Sequence, residues 1–167
     1  EYDQLTGLMN KASFGEVVGS CLEKKSETVT HVFIMIDMDN FKKVNDTLGH
    51  GEGDVVLSKT AELFTKMLGA DSVIGRVGGD EFAVYRKFTG WTLESVRKKM
   101  EFELRLLAED FTRTISKQYT ECNLSLSAGV YIVDGENSSD YESMMKKADT
   151  ALYKSKRNGK SQYSWFV

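Results

Sequence analysis

Hydrophobic and polar positions along this chain recur with two periods, one typical of helices and the other of strands. A spacing of three or four residues predicts a helix that follows Asn10, a possible N-cap, and four further helices over 41–48, 52–68, 91–115 and 141–156. A nearly continuous apolar run predicts a central strand, buried on both faces, over 29–38. Shorter β-prone or alternating runs predict strands over 72–77, 81–88, 123–133 and 161–167.

The order of these elements mixes hairpins with helical crossovers. Hairpins join antiparallel strands, and the intervening helices need a sheet on which to bury their apolar faces. We therefore expect an α+β fold with a central, mostly antiparallel sheet of about five strands surrounded by helices. The chain has 167 residues, no proline and no linker-like stretch, so we expect a single domain over 1–167.

Composition and charge restrict the possible classes of protein. The hydrophobic fraction of 41% and the charged fraction of 28% are typical of a globular domain. A net charge of −3 argues against a broad surface for nucleic acid or anionic membrane. The sequence shows neither a membrane-spanning run nor a signal peptide, and Cys21 and Cys122 lack metal-ligand spacing. We expect a cytoplasmic domain that contacts neither nucleic acid nor membrane.

The most unusual stretch is the turn between the strands predicted over 72–77 and 81–88. Gly78 and Gly79 predict a tight hairpin in which glycine adopts positive φ angles. Asp80 and Glu81 follow at once, and because successive strand residues point to opposite faces, the two acids cannot share one solvated side. Glycine also lets a ligand approach the backbone closely. Taken alone, this tetrapeptide fits a solvated polar turn equally well.

A second pair of acids lies at the end of the central strand. Alternation places Asp37 and Asp39 on one face and turns the Met38 side chain away. Magnesium prefers oxygen ligands, typically one or two carboxylates with phosphate oxygens and water. If the central strand lies beside the hairpin, Asp37 and Asp80 can share a divalent ion. Asp39 can bind the same ion or cap the next helix, and both interpretations remain open.

The residues after this second pair suit a nucleotide. Lys42 lies near a helix start, where it favours a bound anion. Asn45 and Asp54 provide an amide and a carboxylate, and a carboxylate can accept hydrogen bonds from N1–H and the amino group of guanine. Adenine presents an unprotonated N1 instead, so such a site would discriminate between the two bases. His50 lies in the same stretch, where a solvated turn histidine is an equally good interpretation.

Five motifs, in order along nearly the whole chain, resemble those of the GGDEF family of diguanylate cyclases. They are D-Q-L-T-G-L-M-N from Asp3, D-M-D-N-F-K-K-V-N-D from Asp37, G-H-G-E-G-D from Gly49, R-V-G-G-D-E-F from Arg76, and A-D-T-A-L-Y-K-S-K from Ala148. The last motif has a serine, Ser155, where the family usually has a third alanine. The resemblance implies a palm-like fold akin to nucleotidyl cyclases and polymerases.

The resemblance also implies an activity and its cofactors. Two GTP molecules, one on each subunit of a homodimer, would condense to cyclic di-GMP and two pyrophosphates. Two Mg²⁺ or Mn²⁺ ions per competent site would be held by Asp37, Asp80 and the Met38 carbonyl, with Glu81 supporting metal and nucleotide. Asp80 would also be the candidate base toward the 3′-hydroxyl.

The same resemblance assigns substrate contacts, which include Gly78 and Gly79 of the turn. Asn45 and Asp54 would bind guanine, with His50 beside the nucleotide. The phosphates would contact the lysines Lys42, Lys156 and Lys160. Lys160 replaces a family arginine and so loses its bidentate fork. From spacing alone, Lys156 is as readily an exposed lysine at a helix end.

Two positions depart from the family pattern in a way that concerns regulation. The product-inhibition motif R-x-x-D would end shortly before the hairpin, but its key positions are Gly69 and Ser72. We therefore expect no product feedback through that site. We also expect this chain to be the C-terminal output domain of a longer signalling protein, with an upstream sensory or regulatory domain.

Two alternatives to an active diguanylate cyclase remain. One is a catalytically silent module that binds GTP or cyclic di-GMP, against which the intact Asp80 and Glu81 argue. The other is an enzyme that makes a mixed GMP–AMP cyclic dinucleotide, against which Asp54 argues.

Overall fold

The computed structural model describes all of residues 1–167. One sheet contains six strands: β1 (Met9–Asn10), β2 (Val29–Asp39), β3 (Ser72–Arg76), β4 (Glu81–Thr89), β5 (Ser125–Asp134) and β6 (Tyr163–Trp165). Five α-helices flank it: α1 (Lys11–Leu22), α2 (Phe41–Leu48), α3 (His50–Leu68), α4 (Leu93–Thr114) and α5 (Tyr141–Arg157). Short 3-10 helices lie at Gly69–Asp71, Ser116–Gln118 and Thr120–Cys122.

The strand order in the sheet is β1-β3-β4-β2-β5-β6. The three inner pairs are antiparallel, whereas β1 pairs with β3 and β5 pairs with β6 in parallel. The expected α+β fold with a mostly antiparallel sheet is confirmed, but the sheet has six strands rather than about five. The additional strand is β1, which has two residues and is too short to show a periodic pattern.

Both faces of the central strand β2 are covered, as its apolar sequence predicts. One face packs on α2, α3 and α4, and the other packs on α1 and α5. From Val32 to Ile36 every residue of β2 is buried, with alternate side chains entering the two cores. None of the helices combines the length and the hydropathy that crossing a membrane requires.

Polar side chains mark the starts of three helices. The Asn10 side-chain oxygen accepts a hydrogen bond from the Ser13 amide at 2.9 Å, which confirms the predicted cap of α1. Thr92 caps α4 and Asp140 caps α5 in the same way. In contrast, α2 follows Asn40, whose φ is 66°, and no side chain caps it. The interpretation of Asp39 as the cap of this helix was therefore wrong.

Helix α5 crosses β5 at a point where only glycine fits. A Cβ atom at Gly129 would overlap the Ala148 carbonyl oxygen and the Leu152 amide nitrogen of the helix backbone. In the next turn of α5, the Ser155 hydroxyl donates a hydrogen bond to the Ala128 carbonyl at 2.7 Å. These contacts place the C-terminal end of α5, including Lys156, beside the end of β2.

A buried histidine lies near the start of β2. His31 is 1% exposed, and its Nδ1 lies 2.7 Å from the Tyr85 hydroxyl, whereas its Nε2 has no hydrogen-bond partner. Burial lowers the pKa of His31, and the charges of Lys87 and Lys25 lower it further. These surroundings therefore favour the neutral form of the ring.

Candidate active site

The turn between β3 and β4 consists of Val77, Gly78, Gly79 and Asp80. Neither glycine adopts a positive φ, so the predicted reason for the glycine pair was wrong. Gly78 lies close to the Glu81 side chain, so a Cβ there would force Glu81 Oε1 to move, whereas Gly79 faces open space. The Val77 and Gly78 amides both donate to the Glu81 carbonyl, at 2.9 and 3.3 Å, which closes the turn.

Arg76 connects this turn to the N-terminal segment. Its Nε and Nη2 donate to the Gly79 carbonyl at 3.0 and 2.7 Å, and its Nη1 lies 3.2 Å from both carboxylate oxygens of Asp3. Thr6 fixes Asp3 in turn, with its amide at 2.9 Å and its hydroxyl at 2.6 Å from Oδ2. Burial would raise the pKa of Asp3, but the bonds from Thr6 and Arg76 bring it below its usual value. Sequence reasoning assigned these residues to motifs without a role; here they support the turn.

The hairpin lies directly beside the central strand, as a shared ion site requires. Asp37 of β2 stands opposite Glu81 of β4, and the Met38 amide donates to the Asp80 carbonyl at 3.3 Å. Opposite residues of an antiparallel pair project from the same face. Asp37 and Glu81 therefore point toward the α1 and α5 side, whereas the Met38 side chain is buried on the other side.

Asp80 and Glu81 lie in surroundings that disfavour their charged forms. Burial, and then the charge of Asp37, raise the pKa of Asp80 to about 6. Burial also raises the pKa of Glu81, with further contributions from Asp37 and Asp149. Asp37 Oδ1 is buried and has no hydrogen-bond partner. A cation near Asp37 and Asp80 would relieve this repulsion and satisfy the unpartnered oxygen.

The donor set at this edge fits magnesium better than a soft metal. It consists of carboxylate oxygens, and no three His, Cys, Asp or Glu side chains are grouped closely enough to hold a metal without ligands from substrate or water. Magnesium commonly uses one or two protein carboxylates and takes its other ligands from water and substrate phosphates. The residues present therefore fit an ion that arrives with a phosphorylated substrate.

Asp39 has a role that the sequence did not reveal. Its side chain is completely buried and accepts hydrogen bonds from the Ser125 hydroxyl at 2.6 Å, the Ser127 hydroxyl at 2.8 Å and the Ser161 amide at 3.1 Å. Burial would raise the pKa of Asp39, but its hydrogen bonds, with that from Lys156 foremost, hold it below its usual value. Asp39 thus anchors β5 and the segment after α5 to the end of β2.

Lys156 completes this cluster of charges. Its Nζ lies 2.6 Å from Asp39 Oδ1 and 3.1 Å from Asp37 Oδ2. Burial would lower the pKa of Lys156, but the neighbouring carboxylates outweigh that effect and raise it. The alternative of an exposed lysine at a helix end was therefore wrong, since the side chain is only 24% exposed.

The structure places the predicted guanine ligands on two facing helices. A Cβ at Gly53 would overlap Asn45 Oδ1, so the Asn45 amide lies directly against the first turns of α3. Asp54 is the next residue of α3 and is exposed, as is His50 at the helix start. Asn45 and the start of α3 are thus brought together, and the predicted contacts to guanine stay predictions.

The two remaining lysines lie near the start of α2. Lys42 is exposed and pairs with Asp46 at 3.4 Å, and Lys160 is exposed with its Nζ 3.4 Å from Asn40 Oδ1. No side chain caps α2, so an anion can approach its first turn, although the Lys43 amide donates to the Asn40 carbonyl at 3.0 Å. We call the edge formed by these lysines, the facing starts of α2 and α3, and the cluster of Asp37, Asp80, Glu81 and Lys156 the carboxylate edge.

Comparisons with known proteins agree with this arrangement. Residues 1–162 match the family described as Diguanylate cyclase, GGDEF domain. The chain is 37% identical over 164 residues to a probable diguanylate cyclase, DgcI, and 32% identical over 166 residues to the cyclic di-GMP phosphodiesterase PdeR, both from Escherichia coli K12. These alignments cover 98% and 99% of this chain but only 33% and 24% of the relatives, so the chain spans about a third or less of their length.

Solved structures give the same result. The GGDEF domain of DgcB from Caulobacter crescentus, solved in complex with c-di-GMP, superimposes with a TM-score of 0.80 at 27% identity, covering 98% of this chain and 94% of that one. The likeness confirms the fold that the motifs imply. With the family match over nearly its whole length, this chain belongs to the GGDEF domain family of diguanylate cyclases.

Proposed function

We propose that this domain is a diguanylate cyclase, which condenses two GTP molecules to cyclic di-GMP and two pyrophosphates. The observation that carries the proposal is the meeting of Asp37 and Asp80 at the carboxylate edge, with a raised pKa on Asp80 and an unpartnered oxygen on Asp37. In each half-reaction a 3′-hydroxyl oxygen attacks an α-phosphorus, a phosphoester bond forms, and the bond to the pyrophosphate leaving group breaks.

Asp80 is suited to accept the proton of the attacking hydroxyl. Without metal the pKa of Asp80 is raised to about 6, and a bound cation would lower it, so Asp80 is ionised at neutral pH and can accept a proton. Bound Mg²⁺ or Mn²⁺, two per competent site, would neutralise phosphate charge and polarise the reacting oxygens. Asp37, Asp80 and the Met38 carbonyl are the groups that would hold these ions, with Glu81 in support.

The remaining residues of the carboxylate edge bind and orient the nucleotide. The uncapped first turn of α2, with Lys42, Lys156 and Lys160, supplies positive charge to the triphosphate. On facing helices, Asp54 accepts hydrogen bonds from the guanine edge and the Asn45 amide can donate or accept, with His50 beside the nucleotide. Gly79, which faces open space in the turn, leaves room for the substrate.

One such site holds one GTP, so bond formation needs two protomers with their sites facing each other. A homodimer is therefore part of the proposal, and the much longer relatives support a regulatory region elsewhere in the full protein. If dimers of this domain alone are weak, specific activity rises with protein concentration. Constant specific activity across a hundredfold dilution of monomeric protein would contradict the two-site scheme.

The direct test is incubation with GTP and Mg²⁺ or Mn²⁺, followed by chromatography of the products. We expect cyclic di-GMP and pyrophosphate from the wild type. Asp80→Asn should lose nearly all product formation while its unfolding midpoint is kept or raised, because it removes the repulsion with Asp37. Asp110→Asn, an acid on α4 outside the carboxylate edge, is the control and should keep full activity. Product formation by Asp80→Asn above a few per cent would refute the role of Asp80.

A second candidate is a silent module that binds guanine nucleotides without turnover. The similarity to part of a cyclic di-GMP phosphodiesterase supports this candidate, because that relative is named for a different activity. The same assay distinguishes the two functions, because a silent module would bind GTP in calorimetry and yield no product at any protein concentration.

A further inference from the structure

We propose that Lys156 is an exchangeable internal counter-ion, which opposes metal binding until a triphosphate draws its ammonium group away. This inference rests on the proposed function and concerns how the carboxylate edge is loaded. It predicts that removing the lysine charge has opposite effects on two affinities. The protein without nucleotide should bind metal more tightly, and the protein with metal should bind nucleotide more weakly. A lysine that only contacts phosphate would change the second affinity alone.

The contacts of Asp37 carry the first step. Asp37 Oδ2 lies 3.1 Å from Lys156 Nζ, and Asp37 Oδ1 is buried without a partner. The ammonium is thus the cation that balances Asp37. Any divalent ion that binds Asp37 comes close to this ammonium in a half-buried setting, where like charges repel strongly.

The contacts of Asp39 limit the cost of moving Lys156. Asp39 keeps hydrogen bonds from Ser125, Ser127 and the Ser161 amide when the ammonium moves. Its buried carboxylate would lose the positive charge beside it but keep three hydrogen bonds from neutral donors, which limits the cost of removing this ion-pair partner. The lysine stem is flexible, and its 24% exposure shows that the group borders on solvent.

A triphosphate supplies the alternative partner. Its phosphate oxygens carry several negative charges and accept hydrogen bonds from an ammonium group. When Lys156 turns to them, the repulsion at Asp37 falls and the metal binds more tightly. Because coupling between two ligands is reciprocal, bound metal then also favours the nucleotide. The free protein would hold metal weakly, and the nucleotide and its ion would bind together.

The test compares Lys156→Met with Lys154→Met. Methionine is about as long as lysine but carries no charge. Lys154 is the control because it is exposed on the same helix and forms no salt bridge, whereas Lys156 forms two. Mn²⁺ binding to nucleotide-free protein is measured by electron paramagnetic resonance. Affinity for a non-hydrolysable GTP analogue is measured at saturating Mg²⁺ by calorimetry.

For Lys156→Met we expect Mn²⁺ to bind roughly tenfold more tightly without nucleotide, within the usual range of coupling between neighbouring charged ligands. The GTP analogue should bind more weakly in the same variant, and Lys154→Met should match the wild type in both measurements. If Lys156→Met does not fold, Lys156→Gln carries the same expectation, because its amide can still donate to Asp39. Lys156→Arg keeps the charge and should retain the weak Mn²⁺ affinity.

Unchanged or weaker Mn²⁺ affinity in the neutral variants would overturn the inference, even if the wild type makes cyclic di-GMP. Tighter Mn²⁺ binding in a protein whose wild type makes no product would instead support the counter-ion and refute the cyclase proposal. The two failures are therefore distinguishable.

Discussion

The turn that carries Asp80 should lose stability measurably when its link to the N-terminal segment is cut. Asp3→Asn and Arg76→Gln, made singly and together, remove the ion pair between the two residues. A fully exposed pair contributes about 0–1 kcal/mol, and a hydrogen bond to a charged group about 1.5–3 kcal/mol. The Arg76 and Asp3 side chains are 18% and 23% exposed. With a discount for this residual solvent, we expect a coupling free energy of about 1–2 kcal/mol.

The assay is urea denaturation of the wild type, the two single variants and the double variant. The double-mutant cycle isolates the pairwise free energy from the separate effects of each substitution. Arg113 and Asp110 form a matched control pair on α4, with side chains 65% and 31% exposed. The cycle Asp110→Asn and Arg113→Gln should give a coupling below about 0.5 kcal/mol.

Activity provides an independent check of the same reasoning. Arg76→Gln removes both guanidinium bonds to the Gly79 carbonyl, so Asp80 is held less firmly, whereas Asn45 and Asp54 are untouched. Turnover should therefore fall more than GTP affinity. A coupling no larger than that of the control pair, or full turnover by Arg76→Gln, would refute the claim that this link positions Asp80.

Three further predictions concern the scaffold and its regulation. Gly129→Ala should lower the unfolding free energy by about 1–3 kcal/mol, because the new Cβ would overlap the α5 backbone. The control Gly19→Ala, whose Cβ would face open space, should cause no such loss in the same urea denaturation assay. Burial lowers the pKa of His31, so the unfolding free energy should fall as the pH drops below about 6.5, by up to ~1.4 kcal/mol per pH unit. A His31→Phe variant that shows the same loss would contradict this prediction. Titrating cyclic di-GMP at saturating GTP should show no non-competitive inhibition in the micromolar range, since Gly69 and Ser72 lack the required side chains; such inhibition would locate a product site elsewhere.

Local patterns were sufficient for most of the fold. The helical stripes, the buried central strand and the Asn10 cap depend on residues within a few positions of one another, and all are present. The helix expected from Glu52 begins two residues earlier, at His50. Its first turn was not predicted because Gly51 and Gly53 have low helix propensity and weaken the helical pattern there. The two-residue strand β1 exists only through its pairing with β3, which no local pattern encodes.

The charged partners at the carboxylate edge were beyond sequence reasoning for a physical reason. Asp39 is separated from Ser125 by 86 residues and from Lys156 by 117, so its burial depends entirely on how the sheet and α5 assemble. The same long-range contacts turned Lys156 from a possible exposed lysine into an ion-pair partner. The prediction for the turn glycines was wrong because the Val77 and Gly78 amides close the hairpin on the Glu81 carbonyl without a positive φ at either glycine.

The two acids proposed to hold metal are fixed by different means. Asp37 lies within β2 and is paired on one side with β4 and on the other with β5, so the sheet itself sets its position. Asp80 precedes β4, and its backbone is held by the Met38 amide and, one residue earlier, by Arg76 at the Gly79 carbonyl. A change in the N-terminal segment that moves Asp3 therefore reaches Asp80 through a single side chain and leaves Asp37 in place. Since a shared ion depends on the distance between these carboxylates, the turn is where a small displacement would alter metal binding most.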